Sequence, residues 1–140
     1  MTASDLKEEW CLQQTQFDSY EKHSLAIKLM SVAVTVIGGV SNGKGTTVCI
    51  AVLLVLWLQD AIWKTFQSRI EQRLLKVEQA LADNAAVTAF QFNRDFADQR
   101  RGLSGLLQEY IGQAARPTVA YPHAVLVLIT VLNLATRGNL

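Results

Sequence analysis

A chain of 140 residues with 13 Lys and Arg against 12 Asp and Glu carries a formal net charge of +1. No summed field therefore draws it to nucleic acid, and its basic residues are interleaved with acidic ones rather than gathered in a stripe. With 50% hydrophobic and 18% charged residues, and a mean hydropathy of +0.18, it is apolar for a water-soluble chain and mild for a wholly membranous one, so local distribution decides. Cys11 and Cys49 have the spacing of neither a metal site nor a disulfide framework. The polar opening Met1 to Lys22 lacks the apolar core of a secretory signal.

Residues 1–23 read as an amphipathic helix. Thr2 or Ser4 can cap it, acidic residues crowd its first turns, and Leu6, Trp10, Phe17 and Tyr20 share roughly one face. Residues 24–63 read as a transmembrane helical hairpin. From Ser24 to Val40 the run is apolar apart from Lys28, Ser31 and Thr35. Leu25 to Val40 as a helix is about 24 Å long at ~1.5 Å per residue, short of the ~30 Å hydrocarbon core. The preceding helix continuing through Tyr20 and His23, with Lys28 snorkelling to the near interface, makes up the difference. Ser41-Asn42-Gly43-Lys44-Gly45 is a tight polar reversal. The strongest span signal follows: Val48 to Leu58 is unbroken, and Trp57 and Trp63 stand where indoles favour headgroups.

Residues 64–116 read as a cytosolic helical region, an amphipathic hairpin with coiled-coil character. Phe66, Ile70, Leu74, Val77 and Leu81 form a heptad-like stripe, and Lys64, Arg69, Glu71, Arg73, Lys76 and Glu78 read as its solvated opposite face. Asp83-Asn84 is the expected break. Helical character resumes over 85–115, with a kink expected near Gly102 and Gly105. Pro117 and Pro122 restart the chain, and residues 117–140 carry a third apolar run from Val119, interrupted by Thr130 and Asn133. At roughly 18 residues it is just long enough to cross a bilayer.

Lys28, Ser31, Thr35, Asp60, Thr130 and Asn133 are the polar residues expected within or beside the spans. Lys28 and Asp60 are expected to pair across the hairpin, and the others to hydrogen-bond between helices. His23 and His123 have no Cys, Asp or Glu at ligand spacing, so no metal site is expected and both read as interfacial. No nucleophile elbow frames any serine, so no catalytic residue is assigned and the chain does not read as an enzyme.

One motif points elsewhere. VAVTVIGGVSNGKGTTV resembles the phosphate-binding loop of the adenylate kinase family, which would give Gly38, Gly43, Lys44, Gly45 and Thr46 a nucleotide-binding role. Val40 and Ser41 stand where that family has Pro-Gly, and Thr46 to Leu58 is apolar on every face where a soluble kinase needs an amphipathic helix. The motif therefore reads as coincidence, and no cofactor is expected.

DSYEKHSLAIKL and WLQDAIWKTFQSRIEQRLLKVEQAL resemble small bacterial inner-membrane proteins, and the layout is broadly similar to two-span effectors of bacterial defence systems. The expectation is an all-α integral membrane protein with two or three transmembrane helices, its N-terminus and residues 64–116 in the cytoplasm. Beyond the lipid bilayer, a homo-oligomer is expected. Its function is expected to be a pore or channel with a cytosolic helical collar, or else a non-conducting scaffold that binds a partner through its cytosolic helices.

Overall fold

The computed structural model describes residues 3–41, 43–83, 88–98 and 102–137. Asn42 of the predicted turn, Asn84 of the predicted break, the alternative cap Thr2, and Arg100 and Arg101 lie outside them. The described residues form helices α1 (Ala3–Val40), α2 (Lys44–Asp83), α3 (Phe92–Asp98), α4 (Leu103–Ala114) and α5 (Pro117–Arg137). Neither Gly nor Pro occurs between Ala3 and Ile37, so α1 runs unbroken through the predicted boundary at residue 23. For the same reason α2 passes residue 63 without interruption and is helical through Asp83, the last residue described before 88. The middle region departs from the predicted continuous second helix. Gly102 occupies the N-cap of α4 with extended ψ of 179°, so the chain starts a new helix there rather than kinking an old one.

Three helices, α1, α2 and α5, are long and apolar enough to cross a membrane, with best windows of mean hydropathy 1.6, 1.8 and 1.7. α1 and α2 pack as an antiparallel hairpin, and α5 lies against both. At the hairpin tip Gly43 takes φ of +46°, a left-handed conformation for which the absence of Cβ suits glycine. The Thr46 hydroxyl closes the turn onto the Gly38 and Ser41 carbonyls at 3.3 and 3.1 Å. Arg137 at the end of α5 donates to the same Ser41 carbonyl at 3.1 Å. Next to the tip the helices approach closely at Gly38, where a Cβ would stand 3.1 Å from Thr130 Cγ2 and 3.2 Å from Cys49 Cβ.

Three of the five residues of the heptad-like stripe are buried within the chain. Ile70, Leu74 and Val77 are buried, whereas Phe66 is 39% exposed. Val77 and Ala80 pack with Leu6 of α1 and with Ala89, flanked by Trp10 and Leu81. Gln67, Arg73 and Ala80 are buried on the same helix, so the inward face is rotated away from Phe66. Arg73, expected on the solvated face, is instead 4% exposed, because Glu9 and Asp95 meet its charge inside the fold.

Candidate functional site

The three long apolar helices enclose a cluster of polar side chains contributed one helix at a time. From α2, Asp60 is fully buried. From α1, Ser24 donates its hydroxyl to Asp60 Oδ1 at 2.5 Å, and Lys28 Nζ donates to Ser24 Oγ at 2.9 Å. The ammonium is also 3.5 Å from Asp60 Oδ2, so the expected pairing of Lys28 and Asp60 is present in the fold. From α5, His123 places Nε2 3.2 Å from Asp60 Oδ2 and Nδ1 3.5 Å from Ser31 Oγ. Trp57 lies parallel to the imidazole, centroids 6.1 Å apart, and is held by its indole N–H donating to the Ala114 carbonyl at 3.1 Å. A carboxylate this deep persists only when charge and hydrogen bonds replace water, and α1 and α5 supply them to Asp60 of α2.

The remaining polar span residues behave differently. Thr35 donates back to the Ser31 carbonyl and Thr130 to the Leu126 carbonyl, each at 2.9 Å. Both are buried, but their hydroxyls serve their own helices, so they pack between spans without bonding across them. Asn133 Oδ1 is buried without a hydrogen-bond partner among the described residues. The expectation that His123 is interfacial is overturned, since it is 1% exposed and sits at the centre of the cluster. His23 is exposed and stacks on Trp63 at 5.1 Å, which suits the interfacial reading. Ser24, which reads from sequence as the start of the first apolar run, and His123, which reads as interfacial, are the members that the sequence did not place with Lys28 and Asp60.

A second charged cluster braces the far half of α2. Arg73 meets Glu9 through two parallel bonds, Nε to Oε1 at 2.8 Å and an NH2 nitrogen to Oε2 at 3.0 Å. The same guanidinium donates to Asp95 at 3.0 Å and to the Thr88 carbonyl at 2.9 Å. Glu9 Oε2 also accepts the Phe90 N–H at 2.8 Å. Phe90 has φ of +60°, a region that costs a non-glycine residue roughly 1–2 kcal/mol, and this bond offsets part of that cost. The hydrogen bond to Glu9 raises the pKa of the Arg73 guanidinium despite burial, so the arginine side of the pair stays charged wherever the protein is folded.

Nearer the spans, Lys64 and Gln67 donate to Glu21 Oε1 at 2.8 and 2.9 Å. The hydrogen bond from Lys64 is the main cause that lowers the Glu21 carboxyl below its ordinary 4.5, with Gln67 and the Lys64 charge adding to it against burial. A lowered carboxyl contributes stability above its unfolded pKa and loses it as pH falls through the folded value. Glu21 is 54% exposed as a side chain, so screening keeps this effect small. Glu21→Gln is expected to flatten the acid limb of a stability-versus-pH curve only slightly, measured as unfolding midpoints between pH 3 and pH 6, about the range where a free glutamate titrates. A large change would mean that this pair is better shielded than its exposure implies.

The glycine-rich segment does not form a phosphate cradle of the kinase type. α1 is helical through Val40, where that arrangement needs a strand. Gly38 is packed between helices, the Thr46 hydroxyl closes the turn, and Lys44 is exposed at the start of α2. Gly43 and Gly45 serve the reversal.

These features define an all-α protein with three helices long and apolar enough to cross a membrane, wrapped around a buried Lys–Asp–His cluster. Comparison with protein-family models, curated proteins and solved structures finds no match. A functional reading therefore rests on the geometry alone.

Proposed function

We propose that this chain is a multi-pass protein of the bacterial inner membrane that acts as a non-conducting scaffold, with its N-terminus and residues 64–116 on the cytoplasmic side. The observation that carries the reading is the orientation of the spans. Ser24, Ser31, Thr35, Thr46, Asp60, His123 and Thr130 are buried, whereas Leu25, Leu29, Val36, Val48, Val55, Leu128 and Leu132 are exposed. Such a bundle is apolar outside and polar inside, which suits a solvent of lipid. A pore formed between copies needs polar side chains turned toward its neighbours, and here they are consumed within one chain. Orientation follows the basic residues: Lys7, Lys22, Lys64, Arg69, Arg73, Lys76, Arg94 and Arg116 belong to one end of the bundle, against Lys44 and Arg137 at the other.

The scaffold's surface for self-association is the outer edge of α4. Leu103, Leu107 and Ile111 lie four residues apart and are strongly exposed, while the other side of α4 is tied to α2 through Arg69 and Glu109 at 2.7 Å. A single such stripe is self-complementary across a two-fold axis, so a second copy of the chain is the proposed occupant. The test is reconstitution of the purified protein in liposomes, with mass determination in detergent. The expected result is a multiple of 15.5 kDa that Leu107→Lys reduces to the monomer, with ion flux no higher than in protein-free vesicles. Flux that rises with protein concentration would restore the pore reading, and a monomeric native chain would remove the α4 interface.

A further inference from the structure

His123 is the one buried imidazole among the described residues, and the hydrogen count around it is uneven. Its Nε2 faces Asp60 Oδ2 at 3.2 Å, an acceptor that also faces Lys28 Nζ at 3.5 Å, so Nε2 must carry a hydrogen. Its Nδ1 faces Ser31 Oγ at 3.5 Å. Ser31 has one hydroxyl hydrogen, and that oxygen lies 2.9 Å from the Ile27 carbonyl of its own helix, to which it donates. With the hydrogen committed to Ile27, Ser31 offers Nδ1 only a lone pair, and the contact is satisfied when Nδ1 also bears a hydrogen. A neutral imidazole satisfies it in a different way, by having the Ser31 hydroxyl rotate away from Ile27 and donate to Nδ1.

We infer that Asp60, His123 and Ser31 form a proton-binding site inside the bundle, in which the imidazole takes up one proton and the Ser31 hydroxyl turns between Nδ1 and the Ile27 carbonyl to match. Imidazole is the side chain whose charge ordinarily changes near neutral pH. The added positive charge falls between the Asp60 carboxylate and the face of Trp57, both favourable to a cation. The titratable groups bonded into this site among the described residues are Asp60 from α2 and Lys28 from α1, while α4 contributes the Ala114 carbonyl that fixes Trp57. Lys28 balances Asp60 when the imidazole is neutral, so proton uptake leaves the cluster with one net positive charge.

Lys28 reaches the edge of the bundle with its side chain 25% exposed, and Ser24 links it to Asp60, which gives a proton a way in. The hydrogen count stands whether or not the chain lies in a bilayer.

The test uses the full chain in lipid nanodiscs with nitrogen-15 labelled histidine, carrying His23→Gln so that His123 is the only imidazole. The two ring-nitrogen signals are followed with pH. The expected result is conversion from a singly to a doubly protonated ring as pH is lowered across the range in which the chain stays folded. Asp60→Asn should weaken proton affinity about tenfold or more, one unit of midpoint being a factor of ten. Ser31→Ala should weaken it severalfold and Ser31→Thr, which keeps the hydroxyl, should restore it. Should Asp60→Asn fail to fold, the Ser31 pair carries the test. A ring that keeps one protonation state across this range, or a midpoint that ignores both Asp60→Asn and Ser31→Ala, overturns the inference. Ion flux tests the scaffold reading separately.

Discussion

Arg73→Ala is expected to destabilise the protein by about 3–5 kcal/mol, the range for removing one member of a buried ion pair. Glu9 is 2% exposed, so its carboxylate would lose two charged donors and have no water to replace them. The loss also spreads beyond the pair. Arg73 joins α1, α2 and the 88–95 segment, because the same guanidinium holds Glu9, the Thr88 carbonyl and Asp95. Without it the left-handed Phe90 is supported by one bond to an uncompensated carboxylate. The expected signature is a lower unfolding midpoint in mixed micelles, together with faster amide exchange over residues 88–98 than over the spans. Replacing both partners with apolar residues, as in Glu9→Leu with Arg73→Leu, should recover most of the loss, since an apolar pair leaves no stranded charge. A single-variant loss below about 1 kcal/mol, typical of exposed pairs, with unchanged exchange at 88–98, would mean that the pair does not brace the fold.

That contrast also explains why Arg73 was hard to place from the sequence. The spacing of Phe66, Ile70, Leu74, Val77 and Leu81 marks a buried stripe on α2, and Ile70, Leu74 and Val77 are indeed buried. Apolar spacing cannot show that the stripe is recentred toward Gln67, Arg73 and Ala80, because the rotation is set by partners distant in sequence. Glu9 is 64 residues from Arg73, and Glu21 is 46 residues from Gln67. The start of α5 at Pro117 was legible, because local chemistry decides it: a proline suits the first helical position. Gly102 pointed to an irregularity whose form depended on the tertiary fold.

The inner faces of the spans were more legible than their overall hydropathy suggests. Ser24, Lys28, Ser31, Thr35 and Gly38 recur at intervals of four and three along α1, and Val119, His123, Thr130 and Arg137 fall on the same rhythm in α5. In a helix that is otherwise apolar all round, a period of this kind in polar and small residues marks the side turned away from lipid. Read that way, His123 belongs with Thr130 rather than with the headgroups. Which residues of the three stripes stand level with one another was not legible, because the hairpin and the α4–α5 junction set that register together.

That register makes Lys28 and Asp60 unequal partners, and the inequality yields a prediction of comparable size. Lys28→Met is expected to cost about 3–5 kcal/mol, the range for a stranded buried charge, whereas Asp60→Asn should cost clearly less. Removing Asp60 leaves an ammonium on a long, flexible stem that is already 25% exposed and can extend to the interface. Asparagine also still accepts from Ser24. Removing Lys28 leaves a carboxylate at 0% exposure on a side chain too short to reach water, with Ser24 and His123 as its bonded neighbours among the described residues. Unfolding midpoints of both single variants and of the double variant, measured in mixed micelles, separate these effects, and the double variant should lose less than Lys28→Met because no carboxylate is stranded. Equal single-variant losses would place both charges in equivalent surroundings.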